Sequence, residues 1–216
     1  MTDGARVRSG GEGPGGDRGE GRKPTFIEQA RRRQIVDAAI ETLAEEGYGG
    51  TTFARIAARA GISPGLISYH FAGKQELMST VVSTITASMD HAIRTEVEGA
   101  PSYRAVLRGL IETQVRYFAE HTTEVLALGH IFRRGVDDEL SGQLESLRAT
   151  SVGELEQMFR EGQETGDLGP FPTRPMAVTL LAALEAVPAE LLGDQPVDAA
   201  AYASALADIF DAAVRP

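Results

Sequence analysis

The run IAARAGISPGLISYHF, residues 56–71, constrains the fold of this chain more than any other stretch. Ala57 is small enough for two helices to cross closely. Gly61, four positions on, supplies the positive φ of a tight turn, and Ile67 follows six positions later. Ile56, Ile62 and Ile67 can then fill the wedge between the helices. The spacing predicts a helix-turn-helix of about 20 residues, from Thr52 to Phe71, with a short turn. Ser63 is placed to cap the second helix, and Pro64 takes the first helical position, where its missing N–H costs nothing. Gly65 removes a side chain where the helix end would approach a surface. Such a helix suits entry into the major groove of a duplex by its first turn.

The surrounding sequence scans as helix almost throughout, with no sustained apolar–polar alternation. A first helix is expected over Phe26–Glu46, with Ile35, Ala39, Ile40 and Leu43 on one face and Gly47 as its stop. Thr51 or Thr52 is the expected N-cap of the next. A long helix with Leu77, Val81, Ile85, Met89 and Ile93 along one face runs to the break at Gly99, Ala100 and Pro101. Beyond it come SYRAVLRGLIETQVRYFAEH, TTEVLALGHIFRR and a long helix over about 138–165. The Gly/Pro loop GDLGPFPTRP separates these from two last helices, about 175–192 and 197–214. The expected class is all-α, with about nine helices and no internal repeat of fixed period. Residues 1–24 are expected to be a flexible, Gly-rich tail: the first 23 hold eight glycines and charges of both signs.

Charge sharpens the functional reading. The net charge is −10, but residues 24–80 are neutral, with six Lys+Arg against six Asp+Glu. Residues 81–216 hold ten against twenty-one. A chain like this does not coat nucleic acid; any DNA contact rests on a few placed cations near the N-terminus. Cysteine is absent, which excludes disulfides and thiolate chemistry. With no apolar run approaching a membrane span and no secretory signal, the expected location is the cytoplasm, with no membrane partner.

The helical lead-in RRRQIVDAAIETLAEEGYGGTT, the turn IAARAGIS, and YHF followed by GKQEL together resemble the TetR family of transcriptional regulators. The resemblance covers about residues 28–80. It implies a homodimeric repressor in which three N-terminal helices bind DNA. A larger helical domain then binds a small effector and dimerises through its last two helices. The implied organisation is a DNA-binding domain over 25–75 and an effector-binding and dimerisation domain over 76–216.

The resemblance also implies roles at matching positions. Thr52 would cap the second helix and present its hydroxyl to a phosphate. Tyr69 and His70 would reach the backbone or a base edge, Lys74 would pair with a phosphate, and Phe71 would anchor the segment in the core. Three positions depart from the family's pattern. Ser68 stands where an aromatic is common, and Arg55 stands where an acid is common, offering a further DNA contact. Leu66 stands where a small polar residue is common, and can meet a thymine methyl. Of Arg31, Arg32 and Arg33, fanned around one helix, one phosphate contact and a solvated remainder are expected.

Aromatic and methionine side chains among a few polar ones suit a small-molecule pocket and equally suit a bundle core. The candidates in the C-terminal part are Tyr117, Phe118, His121, His130, Phe132, Met158 and Phe159. The Ala- and Leu-rich segments TLLAALEAV and AYASALADIF can pack closely across a twofold axis, and two copies of the motif would read a palindromic operator. No Glu-x-x-His, His-Glu-x-x-His, P-loop or Gly-x-Ser-x-Gly is present, so neither an enzyme, a resident metal nor a cofactor is expected. The rival readings are a catalytic helical bundle and a regulator acting through a protein partner. Effector identity, operator sequence and the sign of regulation have no signature in the chain.

Overall fold

The computed structural model describes residues 25–133 and 138–216. The tail expected over 1–24 lies outside the described residues. Among those described, all regular structure is helical: α1 (Phe26–Gly50), α2 (Phe53–Ala60), α3 (Pro64–His70), α4 (Lys74–Val97), α5 (Tyr103–Glu120), α6 (Thr122–Arg133), α7 (Asp138–Glu164), α8 (Thr173–Leu191) and α9 (Ala199–Ala213).

Local sequence accounts for most of the ends. Thr25 and Glu28 form a reciprocal capping box at the start of α1, satisfying two backbone donors the helix would otherwise leave open. Ser102 and Asp198 cap α5 and α9 through their side chains. The expected helix starts at 175 and 197 move to Thr173 and Ala199. Pro175 is accepted in the first turn of α8, and Asp198 takes the cap of α9. The regular part of α1 stops at Gly47, whose φ of 68° and ψ of 174° interrupt the helix before a last turn to Gly50.

One apolar core runs across residue 75. Ile35, Ala39 and Leu43 from α1, Ile56 and Ile67 from the motif, and Leu77, Met78 and Val81 from α4 are buried together with Ala127 and Ile131 of α6 and Leu140 of α7. The helix-turn-helix segment therefore shares its interior with α4, α6 and α7. A second core joins α5, α7, α8 and α9 around Leu107, Ile111, Phe159, Leu180, Leu184 and Phe210. Ion pairs stitch its outside. Arg104 holds both carboxylate oxygens of Asp211 at 2.9 and 2.8 Å, Arg108 pairs with Asp208, and Arg148 pairs with Glu185.

The chain end is tied in at Gly169, whose N–H donates to the Val214 carbonyl at 2.8 Å. A methyl there would lie 2.2 Å from the Arg215 carbonyl oxygen, so this close approach of two backbones needs glycine.

Candidate nucleic-acid interface

The helix-turn-helix forms as the spacing predicts. Gly61 ends α2 with φ 66° and ψ 34°, the left-handed conformation that glycine adopts freely. Ile62 N–H then reaches back to the Ala57 carbonyl at 3.0 Å. Ile56, Ala57 and Ile67 are buried between the helices, while Ile62 is half-exposed at the rim. Ser63 caps α3 by accepting from Leu66 N–H at 3.3 Å, and Pro64 occupies its first turn. Of the two candidate threonines, Thr52 caps α2, accepting from Arg55 N–H at 3.3 Å. Thr51 is fully buried and donates its hydroxyl to the Gly47 carbonyl at 2.8 Å.

The α3 surface divides by helical phase into an inward and an outward side. Phe71 is buried, whereas Pro64, Gly65, Ser68 and Tyr69 are exposed and Leu66 and His70 half-exposed. Tyr69 is 73% exposed, an unusual state for a large aromatic with no inward role. Its ring meets that of His70 edge-on at 5.1 Å. No neighbour lies within 4 Å of a methyl placed at Gly65, so internal packing does not demand glycine there.

The cations are more engaged than the sequence suggests. Arg55 is paired with Glu46 of α1, so a phosphate must compete with that carboxylate. Arg59 bridges Glu41 and Glu45, and its guanidinium holds the Glu45 carboxyl below the usual range. Lys74 donates to the Tyr48 carbonyl at 2.5 Å and lies 4.1 Å from the centre of the Tyr48 ring. An ammonium fixed there carries three donors and can serve a phosphate as well.

The arginine run differs from expectation. Arg31 bonds Gln34, and Arg33 is exposed. Arg32 turns inward, where its guanidinium sits 4.1 Å over the Phe71 ring and donates to the His70 carbonyl and to Glu76 at 3.2 Å. Its phase held the signal. Arg32 lies four and seven residues before Val36 and Ala39, on the stripe that α1 buries.

The seven candidate effector residues do not gather at one place. Tyr117 and Phe118 are buried in a core with Val115, Val125 and Val187. The Tyr117 hydroxyl bonds Glu124, and its ring stacks on His121 at 4.0 Å. Burial, reinforced by Glu124, pushes the Tyr117 hydroxyl up to about 12. Phe159 is fully buried in the α5–α9 core with Met158 against it. His130 packs on Gly47 of α1, and Phe132 is 52% exposed. Two open clefts, of about 440 and 400 Å³, lie along α1 and α2 and include none of the seven. Periodicity marks a buried face but not the partner that face meets.

Among the described residues, no group of three or more His, Asp or Glu is placed to hold a metal, and no helix is long and apolar enough to cross a membrane.

Residues 35–81, from the buried part of α1 into α4, match the family described as bacterial regulatory proteins, tetR family. Over those residues the chain carries a TetR-type helix-turn-helix segment. The TetR helix-turn-helix also carries the likeness to curated relatives. The regulator BetI 1 of Chromohalobacter salexigens is 37% identical over 87 residues, 40% of this chain and 43% of that protein. BetI of Escherichia coli K12 is 35% identical over 82 residues, 38% of this chain and 42% of that protein. The matched region thus spans less than half the length of these relatives.

Solved structures extend the likeness over the remaining helices. A Rhodococcus sp. protein assigned to the TetR family is 27% identical with a TM-score of 0.73, covering 85% of this chain and 98% of that one. FadR from Bacillus subtilis, solved with stearoyl-CoA, has a TM-score of 0.73 at 19% identity, over 82% and 96% of the two chains. At that identity the likeness is one of fold.

Proposed function

We propose that this protein is a dimeric TetR-type regulator that binds a palindromic operator and releases it when a small effector occupies the larger domain. The observation that carries the reading is the exposed face of α3. Leu66, Ser68, Tyr69 and His70 stand clear of a core that anchors them through Ile67 and Phe71. Phosphate contacts from Thr52, Tyr69, His70 and Lys74 would set register, and Leu66 with Ser68 would face base edges. Gly65 and Pro64 would keep the entering turn slim, and Arg55 would join once released from Glu46. The cytoplasm is where such a regulator meets its operator.

Effector release needs an element that both sites bias. α4 belongs to both domains, and α6 lies along α1 through Ala127, Ile131 and His130. An effector that favours a shifted α4 or α6 would move both recognition helices off operator spacing. A thermal-shift screen of small metabolites identifies the effector's chemical class.

Selection of bound sequences from a random duplex pool tests the whole reading. Enrichment of a symmetric site is the expected result, and no enrichment at moderate salt would refute it. Two substitutions separate positioning from reading. Lys74→Ala is expected to weaken all duplexes alike and lower the salt slope by about one. Leu66→Ala is expected to relax preference at one base position and leave the slope unchanged. Anisotropy titrations at several salt concentrations distinguish them.

A further inference from the structure

We propose that Arg32 is a positioning residue for DNA recognition, clamping the C-terminal end of α3 so that Tyr69 and His70 are held at a fixed angle. The proposal rests on the reading of α3 as the recognition helix. With seven residues, α3 is too short to hold its own shape, and its last carbonyls have no partner within the helix. Arg32 supplies one: its guanidinium donates to the carbonyl of His70, the last helical residue. The other arm of the fork reaches Glu76 at 3.2 Å, and the flat face covers the buried Phe71 ring at 4.1 Å.

The circuit closes through the backbone. Glu76 accepts the Ala72 N–H at 2.7 Å, so one carboxylate fixes both the corner after α3 and the arginine that holds the end of α3. The Ala72 N–H, with the Arg32 guanidinium after it, keeps the Glu76 carboxyl below its ordinary range. Three elements, α1, α3 and α4, thus converge on one planar group. A planar fork can hold two acceptors while lying flat on an aromatic ring, which an ammonium cannot do.

The side chains of Arg32 and Glu76 are 34% and 44% exposed, so the ion pair itself adds little to stability. Its consequence is direction. Tyr69 and His70 are the two residues immediately before Phe71 and leave the helix at the clamped end, so a small rotation there moves both rings away from any fixed duplex.

The test uses the full chain with the operator recovered by selection. Arg32→Ala and Arg32→Lys are both expected to lose about tenfold or more in operator affinity with an unchanged salt slope. Glu76→Gln, which leaves the arginine in place, is expected to lose severalfold. In a background carrying Tyr69→Ala and His70→Ala, Arg32→Ala should cost almost nothing further.

A salt slope lowered by about one would make Arg32 a direct phosphate contact and overturn the proposal. A full additional loss in the Tyr69→Ala, His70→Ala background would overturn it too, as would normal affinity in Arg32→Lys. Hydrogen exchange of the free protein gives a readout without DNA: Arg32→Ala should speed exchange at the amides of Ser68 to Phe71 and spare those of Ile35 to Leu43. Unchanged exchange at α3 defeats the clamp whatever the duplex does. Faster exchange in a protein whose wild type selects no operator would defeat the DNA reading and retain the clamp.

Discussion

Ile209→Glu is expected to turn the protein into a monomer at micromolar concentration and to lower operator affinity by about a hundredfold or more. Ile209 is 63% exposed on α9, yet it is a large aliphatic side chain on a regular helix. It lies in register with exposed Ala201 and Ala205, each about one turn from the next along the same face. α8 offers a matching strip, with Val178, Ala182, Ala186 and Ala189 exposed. The neighbouring charges are drawn aside: Glu185 pairs with Arg148 and Asp208 with Arg108.

Two copies packed by these faces would bury both isoleucines, worth roughly 1.5–3 kcal/mol each. A glutamate in each would forfeit that and bury two like charges at one twofold axis, adding several kcal/mol of cost. The variant should keep its helicity, since Ile209 points away from the core. Sedimentation velocity checks the association, and anisotropy with the selected operator checks the consequence. An Ile209→Glu protein that still sediments as a dimer would remove these helices as the interface.

Gly47→Ala is expected to destabilise the chain by roughly 1–3 kcal/mol through backbone strain alone, because φ 68° with ψ 174° is a region open essentially only to glycine. The new methyl would also lie 3.4 Å from Nδ1 of His130, at the contact between α1 and α6. Gly47 also hosts a hinge of bonds. Its carbonyl accepts the Thr51 hydroxyl at 2.8 Å and the Thr51 N–H at 3.1 Å, and these set the angle at which the chain enters α2.

For a chain of this size each kcal/mol corresponds to about 2–4 °C, so a fall in Tm of roughly 2–12 °C is the expected result of a thermal scan. The double variant Gly47→Ala, His130→Ala separates causes. If strain dominates, removing the imidazole restores little. Full recovery would place the cost in the side-chain contact instead.

Much of the helix-turn-helix was legible because its determinants are local. Gly61, Ser63, Pro64 and Thr52 act within a few residues of themselves, through turn geometry and capping, and their roles follow from spacing. The assignment of Phe71 inward and Tyr69 outward follows from helical phase in the same way. The inward turn of Arg32 was not expected because its partners, His70, Phe71 and Glu76, lie far along the chain from it. The seven effector candidates are scattered for a related reason. Phe159, Phe118 and His130 share chemistry but sit on different faces, against α5 to α9, against α6, and against α1.

By itself the sequence determined the all-helical class, the motif at 52–71, and the exposed chemistry of α3, because helix periodicity, caps and a glycine turn are set by neighbours along the chain. Only the tertiary structure decided that the motif's core continues into α4, α6 and α7, that Arg55 and Lys74 already have partners, and that Arg32 faces the end of α3. Those outcomes depend on which apolar stripe meets which. Burial is a weakly directional drive, and the order in which several stripes pair emerges only when the whole chain packs at once.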